Sequence, residues 1–512
     1  MNDDLSKEII NINNGIKNFI YNNNQLPFYN YIDLPSNLKY DFKTENMFPN
    51  CHLGQRKLLL TEIEFYNKCI NFSNKHNLVI YAGSASCEHI PVILKLFPTL
   101  KFILIDPYYH SIDADFEYIY QNIDGIGKYN HQYFIKLLNI KNNKNMESRD
   151  EHLKKTTEKL LKVQFCCDIH KNNKYNVLNI SNNKHINDMK RFLNNFSEER
   201  LNLIDYIFNS NKRVFIIQDY MTIKLTEILH NYIYKISKIK TNIYFLTDIR
   251  TVLYGDLGAS DIDILWNSAL QIIFLKGLMP EFSMLKFRTP FFINQDKVKQ
   301  IFDDNSGKYD FIKNDINFVK INYKIDLIKN YLQNKFLYFN QDFIYVQPWA
   351  PSNSAESRLF VSRKNIDATF IEYSFREWEN KFYFFNIIRF FKFFPLFYEK
   401  IKNVKGLFYD GCQDCAREIM IITDYLLNKQ SHKNNFGYNL EVLANALEKK
   451  EIQDKLRQIY ELENKYLFYD LHNKNYKCKN HGFMNLQRNY IKFKYNNKII
   501  KVYKDNKIFI EK

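Results

Sequence analysis

The 512 residues are 46% hydrophobic and include 37 Tyr and 44 Phe, which excludes a disordered chain and allows a sizeable buried core. A formal charge of +16 favours an anionic partner such as nucleic acid, although Asn and Lys are over-used along the whole length. Eight Cys without disulfide-framework density, a polar opening from Met1 to Asn24, and charges at Arg389 and Lys392 within the most apolar run predict no secretory signal and no membrane span, hence a cytoplasmic protein.

Residues 1–50 carry scattered aromatics, Tyr40 among them, and read as an N-terminal arm. Leu58, Leu59, Ile63, Tyr66 and Ile70 recur at helical spacing and predict an amphipathic helix between Gly54 and Asn74. Next come a strand (Leu78 to Tyr81), a small-residue turn (Ala82 to Cys87), a helix (Glu88 to Phe97) and a second strand (Lys101 to Ile105) ending on Asp106. That order is the opening βαβ unit of a nucleotide-binding sheet, whose turn lets backbone approach a ligand and whose acid holds ribose hydroxyls. An ordinary α/β unit ending in Asp fits the same pattern. Gly83 is the turn's only glycine, so the full dinucleotide fingerprint is missing. This argues against a nicotinamide-dependent oxidoreductase and for an adenosine site without a pyrophosphate; S-adenosylmethionine is such a ligand.

Residues from about 111 to 210 are rich in Asn and Lys, with helices expected at Glu151 to Val163, Asn187 to Asn195 and Glu199 to Phe208, and read as an insertion. The sheet resumes with Val214 to Gln218, a helix from Leu225 to Ile236, and a strand from Asn242 to Leu246 leading to Asp248. A buried helix (Trp266 to Leu278), a strand (Phe282 to Arg288) and a hairpin of Phe343 to Gln347 with Arg358 to Ser362 follow. Phe375 to Tyr398 is an aromatic helical stretch broken at Pro395. From Tyr490, apolar residues alternate with lysines around Asn496-Asn497 and Asp505-Asn506, which predicts a small β-meander with one basic face.

Four ionisable residues fall where such a sheet would present them: Lys57 before the first strand, Asp248 at a strand end, Lys286 inside an apolar strand, and Glu356 at a strand entrance. A lysine buried beside another cation has a lowered pKa and can act as a general base. Two ion pairs, Lys57 with Glu356 and Asp248 with Lys286, would account for the same residues without catalysis. Lys-Asp-Lys-Glu in this order is the tetrad of RNA 2′-O-methyltransferases. With Gly54-Gln55-Arg56-Lys57-Leu58-Leu59-Leu60, Tyr81-Ala82-Gly83-Ser84-Ala85, Leu104-Ile105-Asp106, Thr247-Asp248-Ile249-Arg250, Leu285-Lys286-Phe287-Arg288 and the specific Gln347-Pro348-Trp349-Ala350-Pro351-Ser352-Asn353-Ser354-Ala355-Glu356, it carries a family resemblance. The chain resembles the poxvirus-type cap-specific mRNA 2′-O-methyltransferases that also serve as the small, stimulatory subunit of the viral poly(A) polymerase. The resemblance covers about 40–110 and 210–430.

It implies an α/β, Rossmann-like methyltransferase domain over 51–430; the unmatched residues 431–512 read from their composition as a basic C-terminal extension. It implies S-adenosylmethionine as donor, capped mRNA as acceptor and a poly(A) polymerase catalytic subunit as partner, in the cytoplasm, a viral factory or the virion. Lys286 would take the 2′-hydroxyl proton, its pKa set by Lys57 against Asp248 and Glu356. Gln55, Tyr81, Gly83, Ala85 and Asp106 would surround the donor, with Tyr220 and Met221 flanking the adenine; Ser86 and Cys87 stand where the family has Pro and Gly. Phe291 would stack on the methylated guanine, Glu379 read its edge and Tyr40 supply an N-terminal aromatic, whereas Asn353 and Ile293 depart from the family's second ring and second carboxylate. Arg250 and Arg288 would hold RNA phosphates. Cys412-x-x-Cys415 and Cys478-x-x-His481 have zinc-ligand types, but the first pair falls in a stretch resembling the family's late helix, and no metal is assigned. A rival of another class is a non-catalytic RNA-binding stimulatory subunit of a poly(A) polymerase.

Overall fold

The computed structural model describes residues 28–29, 54–107, 110, 112–121, 203–250, 261–290, 303, 305, 336–340, 343–350, 354–367, 370–390, 395–401, 403–404, 413–428, 437–467, 490–495, 498–503 and 508–511. At its centre lies β2 (Asn77–Ala82), whose six residues are all buried, as expected of a strand covered on both faces. On one side stand β3 (Lys101–Ile105), β5 (Val214–Gln218) and β4 (Phe116–Gln121). On the other stand β6 (Asn242–Thr247), β7 (Phe282–Phe287), β10 (Ser357–Ser362), β9 (Phe343–Tyr345) and β1 (Phe28–Tyr29). Pairings from β4 through β7 are parallel and those beyond β7 antiparallel, giving a nine-stranded, mostly parallel sheet compatible with a Rossmann-like fold. The chain runs from β2 to β3 in one direction and later returns to place β6 on the opposite side of β2. The crevice above β2 and β6 is therefore the topological switch point, where open α/β sheets bind ligands.

Helix α1 (Gly54–Cys69) departs from the amphipathic expectation, because it is buried on nearly every side. Its apolar residues pack on the sheet, and Arg56 and Lys68 meet acids of α8 (Gln413–Leu427) and α10 (Lys450–Leu467). Arg56 pairs with Glu418 and, at 3.5 Å, with Glu463; Lys68 pairs with Asp424 at 2.8 Å. Glu64 accepts hydrogen bonds from Tyr345 and Tyr438. A helix whose polar face is matched by partners can be buried despite its charges. Neither α10 nor α9 (Leu440–Ala446), which Asn439 caps by accepting from the Val442 amide, was expected in the stretch read as a basic extension.

Between these lie α2 (Ile90–Leu96), α3 (Leu203–Asn209), α4 (Ile223–His230), α5 (Asp261–Leu278), α6 (Phe375–Phe390) and α7 (Pro395–Ile401). Thr222 starts α4 by accepting from the Leu225 amide, and Asp261 and Asp263 complement the first turn of α5. The sequence was expected to carry only helices between 111 and 210, yet β4 lies there and pairs in parallel with β5. The helices expected at 151–163 and 187–195 lie outside the described residues. β8 (Phe336–Asn340) and β11 (Phe370–Ser374) form a separate antiparallel pair. The meander is present as β12 (Tyr490–Tyr495), β13 (Lys498–Tyr503) and β14 (Ile508–Glu511). No helix among the described residues is long and apolar enough to cross a membrane.

Candidate active site

Four elements bring the Lys-Asp-Lys-Glu residues to one place. Lys57 projects from the first turn of α1, and Asp248 follows β6, its amide donating to the Ala82 carbonyl at 2.9 Å. Lys286 is the fifth residue of β7, and Glu356 immediately precedes β10. Lys57 Nζ lies 2.8 Å from Glu356 Oε1, while Lys286 Nζ lies 3.0 Å from Asp248 Oδ1 and 3.6 Å from Glu356 Oε2. The lysines thus meet opposite oxygens of Glu356, and Asp248 closes the group on the Lys286 side.

The sequence reading missed a fifth member. Arg358 stands directly opposite Lys286 in the antiparallel β10–β7 register. Its side chain is 1% exposed and reaches Asp248 Oδ1 at 2.7 Å and Glu356 Oε1 at 3.5 Å. A signal existed: Arg358 follows Glu356 by two residues at a strand entrance, and a period of two puts such residues on one face. Arg250, at the rim, adds a contact to Glu356 Oε2 at 3.4 Å.

Burial opposes both carboxylates' charge, but the surrounding cations outweigh it. Lys286, Arg358 and Lys57 hold Asp248 down at about 2 and Glu356 well below the usual carboxylate range. Burial pushes Lys286 the other way: its pKa is lowered, with Arg250 and Arg358 adding to the effect against the pull of Asp248 and Glu356. The cations that contribute most to lowering it are Arg250 and Arg358. Glu356 stands between the two ammonium groups, so Lys57 acts on the carboxylates while the arginines act on Lys286. The arrangement lowers the proton affinity of an amine beside two fixed anions, a direction that favours a lysine base.

The turn after β2 abuts this group. Gly83 has φ +72°, and a Cβ there would stand 2.6 Å from the Ile249 nitrogen and 2.7 Å from the Asp248 carbonyl carbon. Its glycine is therefore needed for the close approach of β6's end as well as for the left-handed backbone. Cys87 adopts φ 56°, so the turn follows a left-handed path where the resemblance expects glycine. The Ala85 amide donates to Asp106 Oδ2 at 3.1 Å, and Asp106 is 7% exposed. Tyr220 and buried Met221 follow β5 at the same edge of the sheet, with the Tyr220 amide donating to Asp219 at 2.8 Å. A buried acid after β3, a left-handed glycine turn and residues after β5 at one strand edge form a donor set that fits an adenosine-bearing ligand. Two of the expected contacts are differently engaged: Gln55 Oε1 meets His89 Nδ1 at 2.8 Å, and Tyr81 is 1% exposed within the core. His89 also meets Glu62 at 2.8 Å, and buried His110, lowered to about 3 by burial, meets Ser84 Oγ at 2.8 Å.

Beside the tetrad, on the side of α5, is a pocket of about 240 Å³ lined in part by Lys286, Glu356, Arg250 and Arg288. Burial lowers the Arg288 pKa against the pull of Asp261, Glu356 and Glu379. Burial, with Asp261, raises Glu379 to about 7 against the pull of Arg288, and Glu379 Oε1 has no hydrogen-bond partner among the described residues. Phe291, Tyr40, Asn353 and Ile293 lie outside the described residues, as do Cys412, Cys478 and His481; Cys415 is buried.

No curated protein matches the chain. Residues 23–162 match the family model described as poly A polymerase regulatory subunit. That stretch includes α1, the turn at Gly83 and Asp106. The match is confined to that stretch and agrees with the sequence resemblance to the poly(A) polymerase small-subunit family.

Proposed function

We propose that the chain is a methyltransferase, moving a methyl group to the ribose 2′-hydroxyl of the first transcribed nucleotide of capped mRNA. The observation that carries this reading is the convergence of Lys57, Asp248, Lys286 and Glu356 at the switch point, where burial lowers the Lys286 pKa. When bound, S-adenosylmethionine supplies a methyl group on a cationic sulfur. Gly83, Ala85 and Asp106 would hold it at the strand edge, with Tyr220 and Met221 beside its adenine. Lys286 accepts the proton of the 2′-hydroxyl, and Asp248 and Glu356 fix the ammonium that results. Lys57 and Arg358 keep those carboxylates ionised and in place, so that the base needs no reorganisation as the proton moves. Arg250 and Arg288 supply charge for the RNA backbone at the rim. Phe291, Glu379 and Tyr40 are the proposed cap-binding residues.

A second reading, a stimulatory subunit that binds RNA without catalysis, draws on the regulatory-subunit description of the family match. Incubation with labelled donor and uncapped, guanosine-capped or N7-methyl-capped RNA separates the two. Methyl transfer to the first ribose, lost in Lys286→Ala while RNA affinity stays within about threefold, is the expected result. RNA binding without transfer by the unaltered protein would leave only the second reading.

A further inference from the structure

Helix α5 is apolar along most of its length, yet Ile264, Asn267, Ser268 and Gln271 recur at i, i+3, i+4 and i+7 and form one face of the pocket beside Lys286. Gln271 is 2% exposed. Its Nε2 donates to the Lys286 carbonyl at 2.9 Å, which fixes the amide plane. Its Oε1 is buried and has no hydrogen-bond partner among the described residues. Leaving a buried acceptor unsatisfied is costly, so a fixed one in a pocket wall marks a place where a donor arrives with a ligand.

We infer that the pocket takes the base of the acceptor nucleotide, with Gln271 Oε1 accepting a hydrogen bond from an N–H on the base's Watson–Crick edge. The inference rests on the 2′-O-methyltransferase reading of the tetrad. In a nucleoside the carbon bearing the 2′-hydroxyl is bonded to the carbon bearing the base. A hydroxyl delivered to Lys286 therefore brings the base against whichever wall flanks that lysine. Charge sorts the remaining groups: the α5 wall is neutral, which suits a base, while Arg250 and Arg288, which line the pocket apart from that helix, suit phosphates. The pocket's volume of about 240 Å³ is below that of sites enclosing a whole ligand, roughly 300–1,000 Å³, and accommodates one base with part of its sugar. All four RNA bases carry an N–H donor on that edge. A single acceptor therefore demands a donor without choosing among transcripts.

The test uses the full chain and two short capped RNAs identical except for the first nucleotide, adenosine in one and purine riboside, which has no N–H on that edge, in the other. Affinities are measured by fluorescence anisotropy without methyl donor. The adenosine RNA is expected to bind roughly tenfold more tightly, and Gln271→Leu to shrink the gap below about twofold. Ser268→Ala, whose hydroxyl already donates to the Ile264 carbonyl at 2.8 Å, is expected to keep the gap. Equal affinities in the unaltered protein, or a gap that survives in Gln271→Leu, would overturn the inference. Should Gln271→Leu fail to fold, the comparison in the unaltered protein decides. Methyl transfer to the adenosine RNA is scored separately, so absent transfer counts against the enzyme reading and an absent gap against the pocket.

Discussion

Arg358→Met asks whether the carboxylate pair depends on the guanidinium that underlies it. The side chain is 1% exposed and lies 2.7 Å from Asp248 and 3.5 Å from Glu356, so its removal strips two buried anions of a cation. Breaking a buried pair from one side costs about 3–5 kcal/mol. Asp248 keeps Lys286 at 3.0 Å and Glu356 keeps Lys57 at 2.8 Å, which places the expected loss near the lower end, about 3 kcal/mol. The double variant Arg358→Met with Asp248→Asn removes charge from both sides and should recover part of that loss. A second effect is on proton affinity. Arg358 lowers the Lys286 pKa, so without it Lys286 holds its proton harder, and under the methyltransferase reading the alkaline rise of methyl transfer should move to higher pH. Urea unfolding of the single and double variants, together with kcat/KM against pH, measures both effects. An Arg358→Met protein within about 1 kcal/mol of the unaltered chain, with an unmoved pH profile, would refute the argument.

Gly83→Ala should cost at least about 2 kcal/mol, since strain at a positive φ adds to a Cβ placed 2.6 Å from the Ile249 nitrogen; equal urea midpoints for the two proteins would contradict the packing described. Glu463 is raised by burial to about 8, so the folded chain keeps a proton that the unfolded chain loses above the ordinary 4.5. Stability is then full below that value and falls as pH rises toward 8, by at most about 1.4 kcal/mol per pH unit, a slope that Glu463→Gln should flatten. Thermal melts at pH 5 and pH 8 that fall in parallel for the variant and the unaltered protein would rule this out. Asp248 behaves oppositely: its depressed pKa contributes stability that is present above the ordinary 3.8 and lost as pH falls toward 2. Asp248→Asn should therefore shrink the unaltered chain's acid-side loss, and an unchanged acid limb in urea titrations would count against it.

Much of the sheet was legible because its strands are short apolar runs between turn residues, as in Val214 to Gln218 and Asn242 to Leu246. β4 escaped because Phe116–Gln121 mixes aromatics with Glu117 and Gln121, a pattern that an edge strand tolerates and an Asn- and Lys-rich stretch conceals. Helices α9 and α10 were hidden behind the basic composition of the C-terminal part, although Ile452, Leu456 and Ile459 keep a helical period. The four tetrad residues were found through their order and local motifs. Arg358 was not, since an arginine in a strand looks like a surface residue until the register sets it across from Lys286. Gln271 gave no signal at all, because a glutamine in a helix becomes informative only when its oxygen is seen to lack a partner.

The pairing of Lys286 with Arg358 across β7 and β10 has a consequence for how the chain reaches its working form. Successive strand residues point to opposite faces, so slippage of β10 by one position would carry Arg358, with Glu356 just before it, out of register with Asp248 and Lys286. A misaligned chain would therefore be chemically silent instead of weakly active. Under the methyltransferase reading, regain of activity during refolding would report the alignment of these two neighbouring strands, which bulk helix content would not reveal.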